Sequence, residues 1–216
     1  MQSGTILLLD IDNTLYARSC GIVDRIDKLI DRYLVERMRF PPAEVTPIRR
    51  ALRASHGTTL RGLMHRHGID PDDYLAFVHA IDVTGILALD HGLQAMLRRI
   101  ALPKVAVTNG STAHAHAVLD CLGVRAEFLH VYALEQLAYV PKPFPEAFQA
   151  VLDHLPARAE DCILVEDSLP NLVTARQLGM RTVHVADGEV PPDVADVVIP
   201  SILHLEEALA RLLAAP

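Results

Sequence analysis

The sequence predicts an α/β protein built on a doubly wound parallel sheet, with an inserted α-helical cap domain. Short apolar runs end abruptly in polar residues, as expected for strands buried on both faces of a parallel sheet. Helical patterns lie between these runs, and strands that alternate with helices form βαβ units. One long stretch near the N-terminus contains helical patterns and no convincing strand, which predicts the insertion.

Five apolar runs are predicted to be strands, at 5–9, 104–107, 162–165, 182–185 and 197–199. Helices are predicted at 112–122, 145–155, 169–178 and 202–213. Gly123 and Gly179 directly follow two of these helices, at the position where glycine commonly ends a helix. The alternation predicts a Rossmann-like core formed by residues 1–15 and 84–216. Reactive groups are expected at the carboxyl ends of its strands.

Residues 16–83 are predicted to form the cap. Apolar residues recur there at helical spacing, which predicts helices at 21–39, 43–55, 60–66 and 72–80. Prolines and glycines separate these helical patterns. Because this insertion directly follows the first strand, we expect it to lie over the active site.

Composition limits the classes of partner. The 216 residues are 50% hydrophobic and 22% charged, which suits a globular protein with one sizeable core and a small accessory unit. A formal net charge of -7 argues against a broad nucleic-acid-binding face. A small anionic substrate is still compatible with this charge, because local cations and a bound metal can outweigh it.

Cysteine usage and hydropathy predict the compartment. Cys20, Cys121 and Cys162 are too widely spaced for a zinc motif, and an odd number suits no disulfide framework. The chain has no evident signal peptide and no apolar stretch long enough to cross a bilayer. We therefore expect a reduced, cytoplasmic protein with no membrane partner. The sequence does not predict its oligomeric state.

Asp10 and Asp12 follow the first predicted strand. Residues two apart on an extended strand share a face, so both carboxylates can meet one substrate. One carboxylate can attack phosphorus and form an aspartyl phosphate, while the second protonates the leaving oxygen and later deprotonates water. The same acids could serve as turn residues after a strand, so the pair alone leaves both interpretations open.

Residues that suit a phosphate dianion follow later in the chain. Thr108, Asn109 and Gly110 lead into a helix N-terminus, where a hydroxyl and free backbone amides can bind phosphate. Lys142 stands between two prolines that keep the backbone out of a helix, so its ammonium could neutralise a transferring phosphoryl group. A helix cap and a solvated loop lysine are the alternatives for these residues.

Glu166 and Asp167 end another predicted strand. Mg²⁺ prefers hard oxygen ligands, and Asp10, Asp12 and Asp167 at one sheet edge would repel one another without a cation. The alternative is a helix N-terminus at which acids favour the dipole. Buried acids that end several strands need a common counter-ion, so the sequence favours a magnesium site.

Eleven histidines raise the question of a transition-metal site. His65 and His67, like His114 and His116, are two residues apart and lie on different faces of a helix. They lack the i, i+4 spacing of a helical zinc pair, so we predict that they are surface or packing residues. The same prediction applies to His91, His184 and His204.

Taken together, the residues at the strand ends resemble the motifs of the haloacid dehalogenase superfamily of phosphohydrolases. The matching residues in chain order are Asp10, Asp12, Thr14, Thr108, Lys142, Glu166 and Asp167. The resemblance spans nearly the whole chain, and the insertion at 16–83 looks like the helical cap of that superfamily. It implies a phosphatase that acts on a small-molecule phosphate ester.

The resemblance also implies roles for individual residues. Asp10 would be the nucleophile and Asp12 the general acid/base. Thr108 and Lys142 would hold the phosphate, with Asn109 lending an amide.

The implied cofactor is Mg²⁺, bound by Asp10, the Asp12 carbonyl and Asp167, with Glu166 acting through water. Asp12 discriminates within the superfamily, because haloalkanoate dehalogenases lack an acid at this position, where the leaving halide needs no proton. Its presence favours a phosphatase or a phosphomutase.

A finer resemblance points to the pyrimidine 5′-nucleotidase branch, whose members hydrolyse nucleoside monophosphates such as UMP or CMP. The segments that carry it are 10–16, 57–63, 67–82 and 141–146. It implies that Arg53, His56 and Arg61 are substrate contacts on the cap side of the pocket. Two residues depart from that branch, namely Glu166 in place of an aspartate and His56 in place of a tyrosine.

Other functions remain open at this level. Within the superfamily, the alternatives are a phosphoglycolate or sugar-phosphate phosphatase and a phosphomutase. A different class is a phosphoacceptor signalling domain or an inactive phosphate-binding protein. The signalling alternative is disfavoured because the nucleophile comes first in this chain, a helical insert follows it, and receiver domains are much shorter.

Overall fold

The computed structural model describes residues 4–186, 188, 190, 191 and 193–214. The strands in these ranges are β1 (Ile6–Leu9), β2 (Lys104–Val107), β3 (His130–Tyr132), β4 (Cys162–Glu166), β5 (Arg181–Val185) and β6 (Val197–Ile199). They form one parallel sheet in the order β3-β2-β1-β4-β5-β6. The strand order reverses between β1 and β4, and ligands of such sheets bind in the crevice at that point.

The same residues contain nine α-helices. They are α1 (Ile22–Glu36), α2 (Val45–His56), α3 (Thr59–His67), α4 (Pro71–Val78), α5 (His91–Arg99), α6 (Thr112–Leu122), α7 (Pro145–Leu152), α8 (Leu169–Gln177) and α9 (Leu205–Ala214). None of these helices combines the length and the apolar character needed to cross a bilayer.

Alternating side chains of β1 divide the core between the two faces of the sheet. Leu7 and Leu9 join one apolar cluster with α5, α6 and α9. Ile6 and Leu8 join another with α7 and α8. This division follows because successive residues of a strand point to opposite faces. The predicted fold class, a parallel sheet with helices on both faces, is confirmed.

Two elements were not predicted. β3 has only three residues, lacks an apolar run and pairs with β2 at the edge of the sheet. α5 buries Leu93, Met96 and Leu97. The i, i+3, i+4 spacing of these residues is the helical signal that could have identified α5.

Helices α1 to α4 pack around a third apolar cluster. Its buried members include Ile30, Leu34, Leu52, Leu63 and Leu75. Ion pairs of Arg49 on α2 with Asp27 and Asp31 on α1 add to this packing. The division into a core of 1–15 and 84–216 and a cap of 16–83 stays a prediction.

A glycine allows this helical cluster to approach the sheet domain closely. Gly57, between α2 and α3, has a φ of 80°, in the left-handed region that favours glycine. A Cβ atom on Gly57 would lie 2.3 Å from Cε2 of Phe144, the residue before α7. The Arg61 guanidinium of α3 lies 4.1 Å from the centroid of the same ring. Phe144 is therefore a contact point between the two parts of the fold.

We expect Gly57→Ala to lower the free energy of unfolding by about 2–4 kcal/mol, because a clash with Phe144 adds to the cost of a left-handed backbone. Gly68 is the matched control, since its φ is 61° and nothing lies within 4 Å of an added Cβ. Gly68→Ala should cost about 1 kcal/mol. Urea unfolding measures both, and equal losses would contradict the proposed contact.

Candidate active site

A buried ammonium group connects the ends of β1, β2 and β4. Lys142 Nζ donates to Asp10 Oδ1 at 2.8 Å, to Glu166 Oε2 at 2.6 Å and to the Val107 carbonyl at 2.6 Å. These contacts use all three donors of the lysine. Burial alone would lower the pKa of Lys142, but the two carboxylates outweigh it and raise the pKa. The ammonium is therefore a fixed positive charge at this edge of the sheet.

The side chain of Asn109 fixes the loop that carries this lysine. Its Oδ1 accepts from the Lys142 backbone N–H at 2.8 Å, and its Nδ2 donates to the Lys142 carbonyl at 2.9 Å. Prolines flank Lys142, as the sequence shows, and the loop continues to α7. Asn109 thus holds together the β2 end and the Lys142 loop.

Asp10 lies directly after β1, where its N–H donates to the Val165 carbonyl at 3.0 Å. Its Oδ2 accepts from the Thr14 hydroxyl at 3.0 Å, and its Oδ1 accepts from Lys142. Burial and the Glu166 charge raise the pKa of Asp10, and Lys142 opposes them only in part. Extra positive charge near Asp10 would therefore stabilise its ionised form.

Asp10, Glu166 and Asp167 form a cluster of acids, with one carboxylate oxygen of each within 4.8 Å of the others. Glu166 is held by Asn171 Nδ2 at 2.9 Å and by the N–H groups of Asp167 and Ser168, both at 3.2 Å. Burial raises the pKa of Glu166 and of Asp167. Three carboxylates thus face one ammonium group.

This donor set fits a divalent cation of the Mg²⁺ type. The ligand atoms are hard oxygens, and the acids exceed the one positive charge of Lys142. Asn13 offers a further oxygen at the same site, since its buried Oδ1 has no hydrogen-bond partner among the residues that the structure describes. Asp10, Asp167 and Glu166 are thus brought together as the sequence predicted, while their role as metal ligands and that of the Asp12 carbonyl stay predictions.

Thr108 and Gly110 form a compact turn between β2 and α6. The Gly110 N–H donates to Thr108 Oγ1 at 2.9 Å. A Cβ atom on Gly110 would lie 3.1 Å from His114 Cδ2, 3.3 Å from Thr108 Oγ1 and 3.5 Å from Asp12 Oδ2. The glycine therefore allows the threonine hydroxyl, the second carboxylate and the His114 ring to lie close together.

The N-terminus of α6 is less available to an anion than the sequence suggested. The Thr112 N–H already donates to both carboxylate oxygens of Glu135, at 2.9 and 3.0 Å. The His114 N–H donates to the Ser111 hydroxyl at 3.2 Å. Phosphate binding here would consequently depend on the Thr108 hydroxyl and on the positive charge of Lys142 more than on the helix terminus.

Asp12 has polar partners different from those of Asp10. Its Oδ1 accepts from the Tyr16 hydroxyl at 2.6 Å and lies 2.7 Å from His114 Nε2. Burial would raise the pKa of Asp12, but the contacts with His114 and Tyr16 together lower it below its usual value. The pKa of Tyr16 is raised by burial and by Asp12, so its hydroxyl remains a donor.

The sequence interpretation missed His114 as a site residue. His114 is 3% exposed, and its ring stacks on that of His79 with centroids 4.8 Å apart. Burial and the neighbouring His114 lower the pKa of His79 to about 4. His114 lies on the first turn of α6, directly after the β2 end, and that position is the signal that could have identified it. His184 is buried and contacts the Asp167 carbonyl at 3.1 Å, in line with packing.

A cleft of about 610 Å³ is lined by residues of the sheet edge and of the helical cluster. Its floor carries the polar groups, including Asp10, Asp12, Thr108, Asn109, Gly110, Lys142, Glu166 and Asp167. The lining residues from the helical cluster include the apolar side chains of Val23, Ile26, Ile30, Leu60, Leu75 and Val78. The cleft therefore combines charged groups with apolar side chains, a common property of small-molecule sites.

Of the three cap residues expected to contact substrate, the structure brings only Arg53 to the cleft. Its guanidinium is half-exposed and pairs with Asp27 at 3.2 Å. His56 lies outside the cleft lining and contacts the Ser55 hydroxyl at 2.6 Å. Arg61 also lies outside the lining because its guanidinium stacks on Phe144.

Known structures with the same fold include enzymes of two activities. A 2-haloacid dehalogenase from Pseudomonas syringae pv. tomato DC3000 is 22% identical, with a TM-score of 0.62 over 97% of this chain and 99% of that one. A HAD phosphatase from Thermococcus onnurineus is 17% identical, with a TM-score of 0.64 over 95% and 97%. The HAD-hydrolase YfnB from Bacillus subtilis, solved bound to magnesium, is 20% identical, with a TM-score of 0.62 over 99% and 100%. At these identities the likeness shows the fold alone.

The family itself is identified from the sequence. The model of the haloacid dehalogenase-like hydrolases matches residues 5–179, a range that contains Asp10, Lys142 and the Glu166-Asp167 pair. This chain therefore belongs to the haloacid dehalogenase-like hydrolases and is an enzyme of that family.

Proposed function

We propose that this enzyme is a Mg²⁺-dependent phosphatase that hydrolyses a phosphate monoester through an aspartyl phosphate on Asp10. The observation that carries the proposal is the second acid, Asp12, which lines the cleft together with Thr108 and whose Oδ2 lies beside Gly110. A phosphate ester needs a proton on its leaving oxygen, which a carboxylic acid at this position can supply. A leaving halide needs none.

In the first step, a carboxylate oxygen of Asp10 attacks phosphorus and the bond from phosphorus to the ester oxygen breaks. Asp12 gives its proton to that oxygen, so an alcohol leaves. In the second step, water attacks the phosphorus of the aspartyl phosphate and returns a proton to Asp12. The bond from phosphorus to Asp10 breaks, so inorganic phosphate leaves and the Asp10 carboxylate is regenerated. The Thr108 hydroxyl holds a phosphoryl oxygen, and the Lys142 ammonium supplies positive charge beside Asp10.

The acid must be protonated when the ester bond breaks. Hydrogen bonds hold the pKa of Asp12 low in the free enzyme. A phosphate dianion that binds beside this carboxyl group raises its pKa, because like charges disfavour the ionised form. The substrate itself thus favours the protonated acid.

Asp10, Asp167, the Asp12 carbonyl and, through water, Glu166 would hold Mg²⁺, which supplies positive charge next to the phosphoryl group when bound. The acid cluster is the support for this assignment.

For the leaving group we propose a nucleoside, with a pyrimidine 5′-monophosphate as the preferred substrate. A cleft of about 610 Å³ has room for a nucleotide, and its wall includes apolar side chains and Tyr74, against which a base can pack. Arg53 is the cap cation that remains at the cleft. The alternative substrates are phosphoglycolate and sugar phosphates, for a phosphatase or a phosphomutase. These molecules lack a base, so most of the apolar side chains that line the cleft would have no contact with them.

Asp10→Asn should reduce kcat by about 1,000-fold or more, because an amide cannot form the acyl phosphate. The fold should persist, since the amide has the size of the carboxylate. Asp153→Asn, on the exposed end of α7, is the matched control and should retain full activity. If Asp10→Asn kept activity within tenfold of the wild type, Asp10 would not be the nucleophile.

Chelation with EDTA should abolish activity, and added Mg²⁺ should restore it. Mg²⁺ should also raise the thermal midpoint, since a cation at 100 times its dissociation constant stabilises the folded state by about 2.7 kcal/mol. Asp167→Asn should reduce both the activity that Mg²⁺ restores and the rise in thermal midpoint, whereas Asp153→Asn should change neither. Full activity of the EDTA-treated enzyme would refute the metal assignment.

A substrate panel separates the candidate activities. We expect kcat/KM to be highest for UMP or CMP, lower for sugar phosphates and phosphoglycolate, and no halide to be released from 2-haloacids. Turnover of small organic phosphates alone would contradict the nucleotidase proposal. Halide release without phosphate release would contradict the phosphatase proposal.

A further inference from the structure

The two carboxylate oxygens of Asp12 have different surroundings. Oδ1 contacts both the Tyr16 hydroxyl, at 2.6 Å, and His114 Nε2, at 2.7 Å. Oδ2 takes part in neither contact and lies beside Gly110, 3.5 Å from the position of an added Cβ, and Asp12, Gly110 and Thr108 all line the cleft. One oxygen is thus turned into the protein and the other toward the cleft.

The two residues that contact Oδ1 are themselves held firmly. Tyr16 is 7% exposed and His114 is 3% exposed. His114 lies in the first turn of α6, where its backbone N–H donates to the Ser111 hydroxyl, and its ring stacks on His79 at the end of α4. Tyr16 belongs to the segment between β1 and α1 and packs in the main apolar cluster. The orientation of the Asp12 carboxylate is therefore set from two separate directions.

We propose that Tyr16 and His114 are positioning residues that select which oxygen of Asp12 transfers the proton. The proposal rests on the proposed phosphatase function. Both donors engage Oδ1, so Oδ1 acts as an acceptor and the transferable proton resides on Oδ2, facing the leaving group. This arrangement requires His114 to carry its ring proton on Nε2.

The arrangement suits both steps of the reaction. In the protonated acid, Oδ1 is a carbonyl oxygen with two lone pairs, which match the two donors. When the ester bond breaks, the proton moves from Oδ2 to the leaving oxygen and the electron pair of the O–H bond stays on Asp12. When water attacks the aspartyl phosphate, its proton bonds to Oδ2. The contacts to Oδ1 persist in both states, so the carboxyl group does not need to reorient.

Leaving-group dependence tests this role. We would compare phosphate monoesters of p-nitrophenol, which leaves without a proton, with those of a nucleoside and a simple alkyl alcohol, which require one. Tyr16→Phe, which removes only the hydroxyl, should slow the alkyl and nucleoside esters by about 10-fold to 100-fold in kcat. The p-nitrophenyl ester should change by less than about threefold.

His114→Leu should show the same selective loss, and His114→Gln should recover a large part of it, because the glutamine amide can donate from a similar position. The matched control is His116→Leu, two residues along α6, where the histidine is half-buried and contacts Arg125 rather than Asp12. Its rates should equal those of the wild type for all esters. Retained p-nitrophenyl phosphate turnover shows that a variant is folded.

Asp12→Asn separates failure of this proposal from failure of the function on which it rests. If Asp12→Asn slows the alkyl esters selectively but Tyr16→Phe slows all esters equally or none, positioning by these residues is refuted and the phosphatase mechanism stands. If Asp12→Asn leaves the ratio of alkyl to aryl rates unchanged, both the acid role and the positioning role are refuted. Should His114→Leu fail to fold, Tyr16→Phe and His114→Gln decide the outcome alone.

Discussion

The buried ion pairs of Lys142 are the interaction on which the rest of the site depends. Its ammonium joins Asp10 after β1, Glu166 at the end of β4 and the Val107 carbonyl at the end of β2. Removing one partner of a buried ion pair typically costs about 3–5 kcal/mol, because the other charge is left without compensation. The lysine reaches this point from a loop that the Asn109 side chain fixes at both backbone groups.

Asp10 and Asp12 are two residues apart, yet their surroundings give them different properties. Burial and Glu166 raise the pKa of Asp10, whereas His114 and Tyr16 lower that of Asp12 despite its burial. These directions are opposite to the proposed roles, since a nucleophile acts ionised and an acid acts protonated. A bound cation would lower the pKa of Asp10, and a substrate phosphate dianion would raise that of Asp12. Because the acids outnumber the single ammonium group, a bound cation would stabilise the same site.

Local apolar and polar patterns in the sequence predicted much of the fold and part of the site. Buried parallel strands require continuous apolar runs, so five strands and the fold class could be predicted, while the short edge strand β3 carried no such run. Asp10, Thr108 and Asp167 could be named in advance because parallel strand ends meet at one edge. His56 and Arg61 were expected at the cleft, but Arg61 stacks on Phe144, whose position in space the sequence does not reveal. The cap boundaries and the residue roles remain predictions.

The sequence by itself determined the order of five strands along the chain and the acids that end two of these runs. It also determined the lysine between two prolines and the family to which the chain belongs. The tertiary structure alone decided which partners each acid has. His114 contacts Asp12 across 102 residues, and Lys142 contacts Asp10 across 132. Pairings over such distances depend on how helices and loops pack on the sheet, and no local periodicity encodes that packing. The orientation of Asp12, and with it the chemistry we propose, is a property of the folded chain.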